Sequence, residues 1–151
     1  MNRERSSGVL LHIRSLPGRY GTGTLGYEAR DFAEFLRHSS QKYWQTLPFN
    51  PVSGALGYSP YTAYSTFAGN PFLISFDLLK EREWVPGSLM DDVPVEEYND
   101  FVNLDQAHAV AMDKLKILFD VFNEKKPSHD VAAFRAFCEK NAEWLEDYAF
   151  Y

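Results

Sequence analysis

Four aromatic side chains, Tyr58, Tyr61, Tyr64 and Phe67, stand in a stretch punctuated by Pro51, Gly54, Gly57, Pro60 and Gly69. Backbone-fixing and backbone-freeing residues at that density make a long loop rather than a helix or strand. Rings so placed need either a small local core of their own or a ligand to cover them. A sugar fits the second case. Its C–H face packs on an aromatic ring, and its hydroxyls find partners in side chains such as Ser59, Thr62, Ser65 and Asn70.

The other groups that could do chemistry are less organised. Asp91-Asp92 and Glu96-Glu97 are adjacent acids on an acidic stretch, a pattern of solvated surface. Glu139, Glu143 and Asp147 recur every four residues and read as the wet face of a helix. The four histidines, His12, His38, His108 and His129, have no metal-ligand spacing. His12 falls inside an apolar segment and reads as a hydrogen-bonded core residue; His38 reads as a surface residue at a helix end. The single cysteine, Cys138, lacks a disulfide partner and falls on an apolar helical stripe, where burial is expected. Gly21 and Gly23 form a Gly-x-Gly turn without the lysine or spacing of a phosphate loop. No catalytic constellation emerges from these residues.

The elements that must position the loop are set by periodicity. Gly8 to Ile13, GVLLHI, reads as a continuous buried strand, covered on both faces as in a parallel sheet. A helix from about Gly26 to Ser39 places Ala29, Phe32, Ala33 and Leu36 on one face. Tyr43 to Leu47 forms a second strand that Pro48 stops. Strand, helix, strand makes this half α/β. Further on, a short helix is expected around Asp77 to Glu83 and a connecting loop over Ser88 to Asn103. The last third reads as a helical hairpin: one helix from about Asp105 to Glu124, then, after Pro127-Ser128, a second carrying Val131, Phe134, Cys138, Ala142, Leu145 and Ala149.

Composition narrows the partners. The chain has 151 residues and a net charge of −6 with no basic run, which argues against nucleic acid. No apolar stretch reaches the roughly 18 residues of a membrane-spanning helix. One cysteine fits a reducing, cytoplasmic setting.

Three blocks resemble one family in order and spacing. SPYTAYSTFAGNPFLIS, from Ser59 to Ser75, is similar to a signature of the 4-α-glucanotransferases of the amylomaltase or disproportionating-enzyme type, which form glycoside hydrolase family 77. Ser6 to Phe32 is similar to that family's first strand and helix, and YWQTLPFNP to its second strand. The sequence departs from the common pattern at two places. Leu56-Gly57-Tyr58 stands where many members carry Tyr-Gly-Asp, and HIRSLPG replaces His-Pro-Thr-Ser-Leu-Pro-Gly at Ile13 and Arg14.

The resemblance implies the first strands of a (β/α)8 TIM barrel of the α-amylase superfamily, followed by a helical insertion. On that view residues 1–75 supply two β/α units and the aromatic loop, and residues 76–151 a mostly helical insertion subdomain. Such a barrel takes about 250 residues, so an incomplete barrel and an amino-terminal fragment are expected. The implied activity transfers α-1,4-glucan segments between maltooligosaccharides by a retaining double displacement, with no cofactor. The catalytic carboxylates come from later strands, so none is expected in this chain, which would be inactive alone. Its implied partners are glucans and the missing strands, with no membrane. Within the motif the resemblance assigns substrate contact to Tyr61 and Ser59, and loop-structuring roles to Asn70, Pro60 and Gly69; Tyr58, just before the motif and at a departure from it, is taken as a further substrate contact. The alternative is a non-catalytic module that binds maltooligosaccharides or another partner through the same loop.

Overall fold

A computed structural model describes residues 5–95 and 101–150. Two short parallel strands, β1 (Gly8–Leu10) and β2 (Tyr43–Gln45), pair in the register Gly8↔Tyr43, Val9↔Trp44, Leu10↔Gln45. Backbone bonds from Leu11 to Gln45 and from Lys42 to Ser7 extend the pairing at both ends. Gly8 is needed at its position: a Cβ there would lie 2.4 Å from the Tyr43 carbonyl oxygen. Helix α1 (Tyr27–His38) makes the crossover between the strands. The ends of α1 agree with the sequence, with Gly26 before its first turn and Ser39 after its last. Strand, crossover helix and parallel strand make this part α/β, and the described chain as a whole is rich in helix.

Two expectations about these strands are corrected. GVLLHI does not run as one strand: it ends at Leu10, and Ile13–Ser15 turns into a 3-10 helix. Nor is it buried on both faces, because Gly8 and Leu10 are exposed. Among the described residues β1 has only β2 as a neighbour, which leaves its other edge and part of its surface uncovered. His12 therefore precedes the turn rather than lying within a strand, and its buried Nδ1 has no hydrogen-bond partner.

Beyond the strands lie α2 (Phe76–Lys80), α3 (Leu104–Lys125), α4 (Ser128–Lys140) and α5 (Ala142–Phe150). Ser75 and Asn103 cap α2 and α3 by accepting from Leu78 and Gln106 backbone N–H groups. Lys126, in the left-handed region with φ of 45°, ends α3. The expected last helix is two helices. Asn141 interrupts it: its Nδ2 donates to the Phe137 carbonyl at 2.8 Å, and its own carbonyl receives the N–H groups of Trp144 and Leu145. Glu139 and the pair Glu143 and Asp147 thus belong to different helices. Cys138 is half-buried, and the stripe around it stays largely open, with Phe134 and Phe137 exposed.

Two apolar clusters hold the chain. The smaller joins Ile13, Leu16, Ala29 and Leu73, with Leu11, Phe32 and Trp44 against it. Trp44 meets Phe32 edge-on at 4.8 Å and donates to the Leu11 carbonyl at 2.8 Å. The larger gathers Val52, Phe72, Phe76, Val85, Leu89, Met90, Ala111 and Leu118. A 3-10 turn, Pro71–Leu73, joins the two: Phe72 enters one cluster and Leu73 the other. The end of the aromatic loop is thereby the hinge between the α/β part and the helices.

Candidate functional site

The aromatic loop is built from short-range hydrogen bonds. Ser53 accepts from Ala55 N–H through Oγ and from Tyr58 N–H through its carbonyl. Gly57 and Tyr58 then adopt consecutive left-handed conformations, with φ of 64° and 55°. A tyrosine with positive φ is uncommon, and here it turns the ring inward. The Tyr58 hydroxyl donates to Asp105 at the start of α3, and its ring meets the His108 ring edge-on at 5.1 Å. The bond to Asp105 is the main reason the phenol's pKa is raised.

From Ser59 the loop turns outward. Ser59 Oγ accepts from Tyr61 N–H at 3.3 Å, and its carbonyl receives the Thr62 N–H. Pro60, between them, is half-buried. Tyr61 is 71% exposed, Tyr64 is exposed, and Phe67 is 72% exposed. The loop therefore does not enclose its own aromatic core around these three rings. Phe67 instead stacks on Trp144 of α5, with centroids 5.8 Å apart and planes 22° apart. Ser65 Oγ accepts from both Phe67 and Ala68 N–H groups.

Asn70 closes the loop and is buried. Its N–H donates to the Phe49 carbonyl at 2.7 Å, its Oδ1 accepts from Phe72 N–H at 3.0 Å, and its carbonyl accepts from Leu73 N–H. Three bonds from one residue tie both ends of the loop to the hinge turn. Gly69 beside it has no positive φ and open space where a Cβ would lie.

Beneath Tyr58 lies a polar cluster that residue patterns did not reveal. Arg14 is 6% exposed, and its guanidinium sits 5.7 Å from the centroid of the Tyr58 ring. Burial lowers its pKa. Burial first, and the Arg14 charge second, also lower the pKa values of His12 and His108. Another hidden feature is Lys114, whose side chain is 5% exposed and whose Nζ lies 2.6 and 2.7 Å from the two Asp92 carboxylate oxygens. That bond holds the Asp92 carboxyl below its usual range. A lysine on the buried side of α3 carries no signal in a hydrophobic pattern, and Asp92 reads from sequence as a solvated acid.

Among the described residues, no group of three or more His, Cys, Asp or Glu could hold a metal ion. His38 and His129 are exposed on α1 and α4. Glu96-Glu97 lie outside the described residues. No helix of the described residues is long and apolar enough to cross a membrane.

The chain that carries this loop and the parallel βαβ unit is similar to known proteins along nearly its whole length. The family model for 4-alpha-glucanotransferases matches residues 11–151, and the chain belongs to that family. It is 43% identical to the 4-alpha-glucanotransferase of Thermus thermophilus over 151 residues, all of this chain and 29% of that protein. With the Synechocystis 4-alpha-glucanotransferase it shares 42% identity over 98% of this chain and 29% of the relative. Amylomaltase from Streptococcus agalactiae, solved in complex with acarbose, superposes with a TM-score of 0.61 at 34% identity, covering 92% of this chain and 30% of that one. The chain thus spans under a third of the length of these relatives.

Proposed function

We propose that this chain forms part of a 4-α-glucanotransferase, and that its aromatic loop is a stretch of the glucan-binding groove. The observation that carries the reading is Tyr61, 71% exposed on a loop whose end is fixed by three hydrogen bonds of Asn70. An exposed ring on a loop pinned at its base suits packing on a pyranose face. Ser59 stands beside it with a hydroxyl, and Tyr58 braces the loop's inner side through Asp105. Asn70 and Pro60 act in shaping the loop, and Gly69, with open space at its Cβ position, leaves room beside Asn70.

In the same proposal, residues 1–75 contribute the first two units of a (β/α)8 barrel and residues 76–151 a helical insertion. The uncovered edge of β1 supports further strands beside it. Those strands would carry the nucleophile and the acid/base carboxylate of a retaining transfer, in which a sugar hydroxyl rather than water releases the glycosyl group. A cytoplasmic setting belongs to the reading and rests on the single cysteine. The purified 151-residue chain is expected to release no glucose from maltotriose. Release by this chain would overturn the assignment of catalysis to residues outside it.

A further inference from the structure

Tyr61 is not the only open ring of the loop. Phe67 is 72% exposed, and its ring lies nearly parallel to that of Trp144 on α5, with planes 22° apart and centroids 5.8 Å apart. The stack covers one side of the Phe67 ring and leaves most of the side chain in water, so it orients the ring without burying it. Both partners are held. Ser65 Oγ accepts from the Phe67 and Ala68 N–H groups at 3.2 and 3.1 Å, and Trp144 Nε1 donates to Asn141 Oδ1 at 3.2 Å. Tyr148 carries the aromatic surface further along α5, its centroid 6.2 Å from that of Trp144. The loop also states what kind of occupant it fits. Residues 43–76 contain no charged side chain, and the stretch from Tyr61 to Phe67 consists of rings, one alanine, one serine and two threonines. Flat apolar faces among neutral hydroxyls suit a neutral, polyhydroxylated chain and offer nothing to an ionic partner.

We infer that Phe67 packs on a second glucose unit of the same α-1,4-glucan that Tyr61 receives, and that Trp144 is its positioning residue. The inference rests on the groove reading and adds to it a subsite shared between the aromatic loop and α5.

The test titrates maltoheptaose into the full 151-residue chain, followed by calorimetry and by tryptophan emission. Phe67→Leu, which keeps apolar bulk and loses the flat face, is expected to weaken binding about threefold to tenfold, while Phe67→Tyr keeps it. Trp144→Ala weakens binding as Phe67→Leu does, and Trp144→Phe, which retains a flat partner, restores it. Emission of the wild type changes saturably with glucan. That change is lost in Trp144→Phe, because the other two tryptophans, Trp44 and Trp84, pack against the apolar clusters. Affinity equal to wild type in Phe67→Leu or in Trp144→Ala, with Tyr61→Ala weakened, overturns this inference and leaves the groove reading standing. A wild type that binds no maltoheptaose overturns both.

Discussion

Replacing Asn70 by alanine isolates the contact that holds the aromatic loop. The backbone bonds of residue 70 to Phe49 and Leu73 survive the change; the Oδ1 acceptor of Phe72 N–H, at 3.0 Å in a buried setting, does not. Loss of such a cap costs about 1 kcal/mol. Stranding a buried N–H raises the total to about 2 kcal/mol. For a chain of this size that lowers Tm by about 4–8 °C, measured by circular dichroism on heating. Asn70→Ser keeps an oxygen one bond nearer the backbone and is expected to recover about half the loss. Hydrogen exchange at Phe72 N–H should accelerate in Asn70→Ala as the hinge turn opens locally. An unchanged Tm in Asn70→Ala would refute the reasoning. So would equal losses in the serine and alanine variants, which would point to lost volume rather than a lost acceptor.

The core and the buried bases carry further expectations. Leu118→Ala, in the larger cluster, should cost about 2–5 kcal/mol in urea denaturation, whereas Phe119→Ala, one residue on and exposed, should stay within about 0.5 kcal/mol. His12 and His108 have folded pKa values below the ordinary 6.5, so the folded chain resists their protonation more than the unfolded chain does. Their contribution to stability is complete above about pH 6.5 and is lost as pH falls through the folded values. Tm should therefore be flat from about pH 8 to 7 and decline towards about pH 5, with a shallower decline in His108→Gln. Asp92, held low by Lys114, acts in a more acidic window: its contribution is present above its ordinary pKa of 3.8 and disappears as pH falls through the lower folded value.

Much of the fold was legible because local rules and tertiary packing agree. Gly26 and Ser39 bound α1 as the apolar spacing requires, and Pro127 separates α3 from α4. The failures have distinct causes. GVLLHI is apolar enough for a long strand, but Ile13 is used to fill the smaller cluster and the backbone turns to deliver it. The stripe from Val131 to Ala149 is continuous in type, and a single asparagine hydrogen-bonding its neighbours breaks the helix. Phe119 and Phe134 match the apolar spacing and are exposed all the same, since periodicity assigns a face without stating what covers it. In the candidate site, the rings stand out in sequence because their types are unusual for a loop, and Asn70 stands out through the family motif it matches. Arg14, Lys114 and the inward turn of Tyr58 depend on partners up to dozens of residues away, and no local pattern encodes them.

The most direct measurement for the glucan surface is a calorimetric titration of maltoheptaose into the purified chain, alongside Tyr61→Ala. Binding that weakens by about tenfold or more when the exposed ring is removed is the expected result. Equal affinity in the two proteins, or no binding to the wild type, would contradict the assignment of this loop to the glucan groove.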